Sequence, residues 1–258
     1  MRSEEVKKIV RDSYSEMAGS GCCGSGCGCD SGKNNKEISK SIGYSDEEIV
    51  TFSESNLGLG CGNPVAMASI NEGDVVLDLG SGAGFDAFIA RRKVGESGRV
   101  IGVDMTPEMI KKALEAAEKQ GYDNVEFRLG DIEDLPVKGN SVDVVISNCV
   151  INLAPDKKKV FEEAYRVLKR NGKMFISDIV LLEELPEESR KDEGLLCGCV
   201  GGALMRDDYI RIAKDAGFDV EILGEDKKIS EEQYGGINLE SLKLKLVKIG
   251  GGCCCGEC

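Results

Sequence analysis

An α/β fold built on a mostly parallel sheet is what this 258-residue sequence predicts. Three observations lead there. Short apolar runs alternate with helical patterns from residue 74 onward; the first of them, Val75–Leu79, opens into a glycine-rich turn; and the last, 242–249, alternates strictly between apolar and charged residues. Alternating strands and helices stack as a parallel sheet covered by helices, because each crossover returns the chain to the same edge. The strict alternation at the end marks a half-exposed strand, which fits an antiparallel pairing.

The elements follow in chain order. Val6, Ile9, Val10, Tyr14 and Met17 share one helical face, so residues 3–17 read as an amphipathic helix. The Gly/Ser/Cys stretch at 18–36 cannot bury a core and reads as flexible. Ser45 and Glu48 form a capping-box pattern that opens a short helix to about Phe52. A GLGCG loop at 58–62 then leads through Asn63 and Pro64 into another short helix. After Val75–Leu79 come a helix at 85–92, a strand at Arg99–Asp104 and a helix capped by Thr106 with Pro107 in its first position. Further strands are expected at 124–129, 142–149 and 173–180. Between the last two lies a helix carrying Val160, Phe161, Ala164, Val167 and Leu168, stopped by Asn171-Gly172. A helix near 207–216 and strands at 218–223 and 242–249 complete the count at seven strands. The chain thus divides into a helix (1–17), a flexible segment (18–36), a cofactor-binding core (37–182), a C-terminal part (183–249) and a flexible tail (250–258).

Composition narrows the chemistry. With 33 Lys and Arg against 46 Asp and Glu, the net charge of −13 argues against a nucleic-acid partner, whose phosphates call for clustered cations. No apolar run approaches a membrane span, and the mixed-charge opening MRSEEVKKIV lacks a signal peptide's apolar stretch. A cytoplasmic protein is expected, and its twelve cysteines should then be thiols. There is no histidine. The spacings do not form a paired C-x₂-C zinc ribbon. Cys22, Cys23, Cys27 and Cys29 crowd the flexible segment, and Cys253, Cys254, Cys255 and Cys258 crowd the tail. Cys61, Cys149, Cys197 and Cys199 are scattered through the folded part. Remote thiols with no imidazole among them suit a soft, sulfur-seeking atom better than a proton shuttle.

Residues 75–84, VVLDLGSGAG, form a strand, a glycine-rich turn and a helix start. Gly80, Gly82 and Gly84 let the backbone turn sharply and approach a ligand, and the helix N-terminus offers free N–H groups. Asp104 closes the next strand, where a carboxylate can accept both hydroxyls of a ribose. The spacing is G-x-G-x-G, unlike the dinucleotide G-x-G-x-x-G, and Asp78 precedes the first glycine. That carboxylate repels a pyrophosphate and attracts an ammonium or sulfonium. Asp131 and Ile132 after the third strand suit an adenine amino group and an adenine ring.

This set, over roughly residues 70–180, resembles the class I S-adenosylmethionine-dependent methyltransferases. The resemblance implies a Rossmann-like fold, a mostly parallel seven-stranded sheet with an antiparallel C-terminal strand and a smaller C-terminal substrate-binding part. It also implies S-adenosylmethionine as cofactor, held by Tyr14, Asp78, Gly80, Ser81, Gly82, Gly84, Asp104, Met105, Asp131, Ile132 and Asn148. Segments around Cys61 (GCGNP), Cys149 (SNCVINL) and Cys199 (CVGGAL), together with YSEMA at 14–18, closely resemble the arsenite methyltransferases. In that family the corresponding cysteines bind As(III) and a cysteine near the N-terminus takes part in turnover. The resemblance therefore implies Cys61, Cys149 and Cys199 as the metalloid ligands, with Cys197 as an extra or substitute thiol and Cys22 and Cys23 as a redox relay. Implied partners are arsenite, arriving as a thiol adduct, and thioredoxin or a small thiol as reductant; a monomer is expected. A quinone-type C-methyltransferase and a non-catalytic metalloid-binding protein remain as alternative readings.

Overall fold

The structure, a computed structural model, describes residues 3–20 and 35–249. Helix α1 (Ser3–Ser20) is followed by three short helices, α2 (Asn35–Ser41), α3 (Asp46–Thr51) and α4 (Pro64–Met67). Then strands and helices alternate: β1 (Val75–Leu79), α5 (Phe85–Val94), β2 (Arg99–Asp104), α6 (Pro107–Gln120), β3 (Val125–Leu129) and β4 (Val142–Asn148). A 3₁₀ turn (Ile151–Leu153), α7 (Lys157–Val167) and β5 (Leu168–Leu181) come next. The C-terminal part contributes α8 (Glu187–Arg190), α9 (Glu193–Cys197), α10 (Arg206–Asp215), β6 (Phe218–Asp226), α11 (Lys228–Gln233) and β7 (Leu239–Lys248).

The seven strands form one sheet in the order β3-β2-β1-β4-β5-β7-β6. Strands β1 to β5 pair in parallel, and β7 runs antiparallel to both of its neighbours, as the alternating terminal pattern predicts. Successive strand residues face opposite sides of a sheet. Accordingly Val76 joins Phe88, Ala113 and Phe175 on one face, while Leu77 and Leu79 join Phe161, Ala164 and Tyr209 on the other. The order of the strands reverses between β1 and β4, and such a switch point leaves a crevice at the carboxyl ends of the strands. A third apolar cluster, containing Cys61, Cys149, Cys199 and Val10, sits at that edge.

Strand β6 runs on to Asp226 and β7 spans Leu239–Lys248, and the short helices α8, α9 and α11 were not foreseen; the structure departs from the sequence reading in three further places. Helix α1 runs to Ser20, past the expected end at 17, and residues 35 and 36 of the expected flexible segment begin α2. Asn171-Gly172 does not stop a helix: α7 ends at Val167 because Leu168 is already extended and paired with Val142. From there to the next pairing, Val144 with Lys173, β4 advances two residues while β5 advances five, and the surplus bulges out with Asn171 at φ 62°. Thr106 precedes α6 as expected, yet its side chain caps nothing. Ser45 and Glu48, by contrast, make both bonds of the capping box.

Candidate active site

The glycine-rich turn lies at the floor of a deep cleft at the switch point. Gly80 (φ 64°), Gly82 (φ 50°) and Gly84 (φ 92°) all adopt the left-handed backbone that side chains resist. The Gly82 N–H donates to Asp104 Oδ2 (2.9 Å) and the Thr106 N–H to Asp104 Oδ1 (2.8 Å), so the carboxylate at the end of β2 braces the turn after β1. Asp78 is almost fully buried, and its Oδ2 has no hydrogen-bond partner, like Ser81 Oγ beside it. Burial, followed by the charges of Asp86 and Asp104, pushes the Asp78 carboxyl well above the usual carboxylate range. Asp86 is raised to about 6, mainly by burial, and Asp104 is raised by the same cause. This end of the cleft is short of positive charge.

At the other end, three remote segments bring thiols together. Cys61 is delivered by the loop between α3 and α4, whose backbone is clamped from two sides. The Cys61 N–H donates to Asn148 Oδ1 (3.1 Å), and Ser241 of β7 donates to the Cys61 carbonyl (2.6 Å). The Asn148 amide also donates to the Gly62 carbonyl (2.8 Å) and to the Tyr44 hydroxyl (2.9 Å), which in turn donates to Asp86 Oδ1 (2.6 Å). A Cβ on Gly60 would stand 2.8 Å from the Asn148 amide nitrogen, and one on Gly62 would overlap Ser177 Oγ. The two glycines flanking Cys61 are there for that close approach.

Cys149 follows β4 and Cys199 follows α9, and both hold positive φ, 57° and 66°. Such angles cost a β-carbon-bearing residue free energy and persist only where the surroundings impose them. Here the Cys149 N–H is tied to the Ser177 carbonyl of β5 (2.8 Å), and the Cys199 thiol donates to the Cys149 carbonyl (2.7 Å). The Cys149 thiol contacts those of both Cys61 and Cys199. Burial pushes the Cys149 thiol far up, and its two thiol neighbours add to the shift; burial raises Cys61 and Cys197 as well. These groups are therefore neutral thiols at neutral pH.

Beneath the thiols lies a buried polar network. Asp178 accepts from the Asn152 amide (2.8 Å), the Ile179 N–H (3.0 Å) and the Tyr209 hydroxyl (2.9 Å). Burial raises its carboxyl to about 7. Lys157 donates to the carbonyls of Asn152 (3.2 Å) and Ala154 (2.9 Å), and burial lowers it to about 8.

The sequence profile of the family described as "Methyltransferase domain" matches residues 70–217, more than half of the chain. The chain belongs to that methyltransferase family. Within it, 235 residues are 48% identical to an arsenite methyltransferase of Halobacterium salinarum, covering 87% of this chain and 60% of that protein. The human arsenite methyltransferase is 46% identical over 152 residues, covering 55% of this chain and 40% of its own length. An X-ray structure of an arsenic(III) S-adenosylmethionine methyltransferase from Chlamydomonas reinhardtii superposes with a TM-score of 0.65 at 38% identity, covering 83% of this chain and 74% of that one. The chain thus spans about 60% of the length of its Halobacterium relative and less of the human one.

Most predicted site residues of this methyltransferase domain line the one cleft: Tyr14, Asp78, Gly80, Ser81, Gly82, Asp104, Met105, Asp131, Ile132, Asn148, Cys149, Cys197 and Cys199. Gly84 does not. A Cβ there would meet Phe127 at 2.7 Å and Phe88 at 2.9 Å, so its task is to let α5 pack on the sheet. Cys61 sits behind the cleft wall, against Cys149. Cys22 and Cys23 lie outside the described residues, as does the tail with its four cysteines. Asp131 is engaged, accepting Lys7 of α1 (2.7 Å), which also pairs with Glu133 (2.6 Å).

Lys7, Val10 and Met17, on the inner face of α1, complete the cleft wall; the sequence placed Val10 and Met17 on the same helical face as Tyr14 but gave a ligand role to Tyr14 alone, and Lys7 was missed. Asp86, Asp178 and Lys157 were missed too. A carboxylate inside the apolar run MFISDIVL was the available signal for Asp178. The donor set fits S-adenosylmethionine. Asp78 and Ser81 line a cleft rich in buried carboxyls, each with a buried oxygen left without a partner, which suits a ligand with cationic groups, and Ile132 is an apolar wall beside Asp131.

Proposed function

We propose that this protein is an arsenite methyltransferase, moving methyl groups from S-adenosylmethionine to thiolate-bound As(III) and yielding methylated arsenicals. The observation that carries the reading is the meeting of Cys61, Cys149 and Cys199 at the inner end of the cleft, opposite the glycine-rich turn. The similarity to arsenite methyltransferases along most of the chain supports it.

Asp78, Asp104, Asp131 and the turn at 80–82 would hold the cofactor, which supplies an electrophilic methyl on a sulfonium. The protein's own task is to present arsenic to it. Burial raises the Cys61 and Cys149 thiols, which hold their protons until a metalloid replaces them, and Cys199 is the third buried thiol of the set. Arsenite releases those protons as water, and a thiol adduct carries them away as free thiol. The product, As(III) on three thiolates, is neutral, so burying it carries none of the penalty of a lone charge. Its lone pair needs no base to free it, which agrees with a site lacking histidine. Catalysis then rests on alignment, worth about 7–11 kcal/mol in favourable cases.

In a second round one ligand position is taken by the methyl group, and Cys149 and Cys199 are the pair we assign to hold the metalloid. Any pentavalent product is returned to As(III) by electrons from thiols. Cys22 and Cys23 would form the disulfide, which thioredoxin or a small thiol then reduces. We further propose a cytoplasmic monomer; no helix among the described residues is long and apolar enough to cross a membrane. The test is incubation of the full chain with arsenite, S-adenosylmethionine and glutathione, with chromatography of the arsenicals. Methylated species should appear, and Cys149→Ser should abolish them while cofactor affinity stays within about twofold. A mutant that methylates at the wild-type rate refutes the assignment.

A further inference from the structure

We infer that Cys61, Cys149 and Asp178 form a binding site for a thiophilic divalent cation of the zinc or cadmium class, which competes with arsenite for the same two thiols. The inference rests on the arsenite reading for its competitor, and on a different ligand set for its geometry. One sulfur from each cysteine and a carboxylate oxygen of Asp178 lie within 4.8 Å of one another, and all three residues are buried. Ligands on a tetrahedron around zinc, with bonds of about 2.3 Å to sulfur and 2.0–2.2 Å to oxygen, stand roughly 3.5–4 Å apart. Small side-chain rotations close the remaining distance.

Asp178 is held as a metal-ligating carboxylate usually is, by donors behind it: the Asn152 amide, the Ile179 N–H and the Tyr209 hydroxyl. Oδ2 accepts from Tyr209 and keeps a lone pair for a metal.

Charge separates the two ligands. As(III) on three thiolates is neutral and has no use for a carboxylate. A divalent cation on two thiolates and one carboxylate carries a net charge of about −1. Lys157, buried within electrostatic reach of Asp178, brings that cluster to neutrality. Its ammonium is bound by the neutral carbonyls of Asn152 and Ala154, which leaves its charge available. Binding releases the two thiol protons, and any proton on the Asp178 carboxyl, to solvent, and water takes the fourth position. The predicted consequence is inhibition of the arsenite reaction by zinc or cadmium.

The experiment uses the full-length chain with serine at Cys22, Cys23, Cys27, Cys29, Cys253, Cys254, Cys255 and Cys258, which removes the competing terminal thiols. Cadmium chloride is titrated in and followed by the ultraviolet sulfur-to-cadmium charge-transfer band; arsenite binding is measured separately by equilibrium dialysis. One cadmium per chain is expected. Asp178→Asn should weaken cadmium at least tenfold and change arsenite less than threefold, Cys61→Ser should weaken both, and Cys199→Ser should weaken arsenite far more than cadmium. Cadmium affinity that ignores Asp178→Asn overturns the inference. Should that variant fail to fold, Cys199→Ser still decides, because cadmium and arsenite affinities that fall together there also overturn it. These readouts need neither cofactor nor turnover. A chain that binds cadmium as expected yet leaves arsenite unmethylated sinks the proposed function alone, and active enzyme with Asp178-independent cadmium binding sinks this inference alone.

Discussion

The glycine-turn end of the cleft, where we propose that the cofactor sits, draws its groups from one stretch, residues 78–82, and from the ends of the neighbouring strands β2 and β3, whereas the thiol end gathers Cys61, Cys149 and Cys199 from widely separated loops. At the first end backbone geometry does the placing: glycines turn, and Asp104 ties the turn down with two N–H bonds. At the second, side-chain bonds between distant segments do it, through Asn148, Ser241 and Tyr44. Both ends nevertheless share one electrostatic condition. Buried acids, carboxyls at one end and the Cys61 and Cys149 thiols at the other, sit with pKa raised mainly by burial. Each end is prepared to exchange a proton or a solvent contact for an electrophile.

If the ends are independent, damage to one should spare the other, and the tests run from large effects to small. The largest concerns Asp178 under the thiols. Its folded pKa of about 7 lies above the unfolded carboxyl value, so the native state holds a proton that the unfolded chain has lost. Stability must therefore fall as pH rises through this window and level off above it. Against Asp178→Asn, which has no such proton, the wild type should lose about 3 kcal/mol between about pH 5 and pH 8 in urea denaturation. Parallel stability curves for the two proteins would show that the carboxyl titrates normally.

Asp104→Ala comes next. It removes the brace of the glycine turn and a ligand-facing carboxylate together, and should weaken S-adenosylmethionine by about 10- to 100-fold in calorimetry, or about 1.4–2.8 kcal/mol. Arsenite affinity should hold. If arsenite binding falls equally, the two ends are coupled and the contrast fails.

Gly62→Ala is the converse probe. Its methyl group would overlap Ser177 Oγ, push the Cys61 loop away from β5 and cost about 1–3 kcal/mol of stability. Weakened arsenite binding with unchanged cofactor binding is the expected pattern in dialysis. Smallest is Lys7→Met, which breaks the pairing of α1 with Asp131 and Glu133. This partly exposed pair should be worth about 1 kcal/mol or less. A drop in melting temperature beyond that scale would mean that α1 depends on Lys7 to dock.

Strands β1 and β2 were legible to the residue, because each is a short apolar run ended by a turn or a cap. The junction of α7 and β5 was not, since Asn171-Gly172 looks like a helix stop until the pairing of Leu168 with Val142 is known. Cys149 could be placed at a strand end from sequence, and its left-handed backbone could not. Lys7 and Asp178 were hidden for a related reason: one is a charge on a helix whose docking partner lies far along the chain, the other a carboxylate in an apolar strand.

The amino-acid order by itself determined the α/β alternation, the glycine turn with its carboxylates and the supply of histidine-free thiols, because these depend on local pattern and on composition. Tertiary structure alone decided how the thiols are brought together, what lies beneath them and which helix walls the cleft. Those outcomes depend on long-range packing and on buried hydrogen bonds between segments such as Asn148 and the Cys61 loop, whose partners are neighbours only once the sheet has formed.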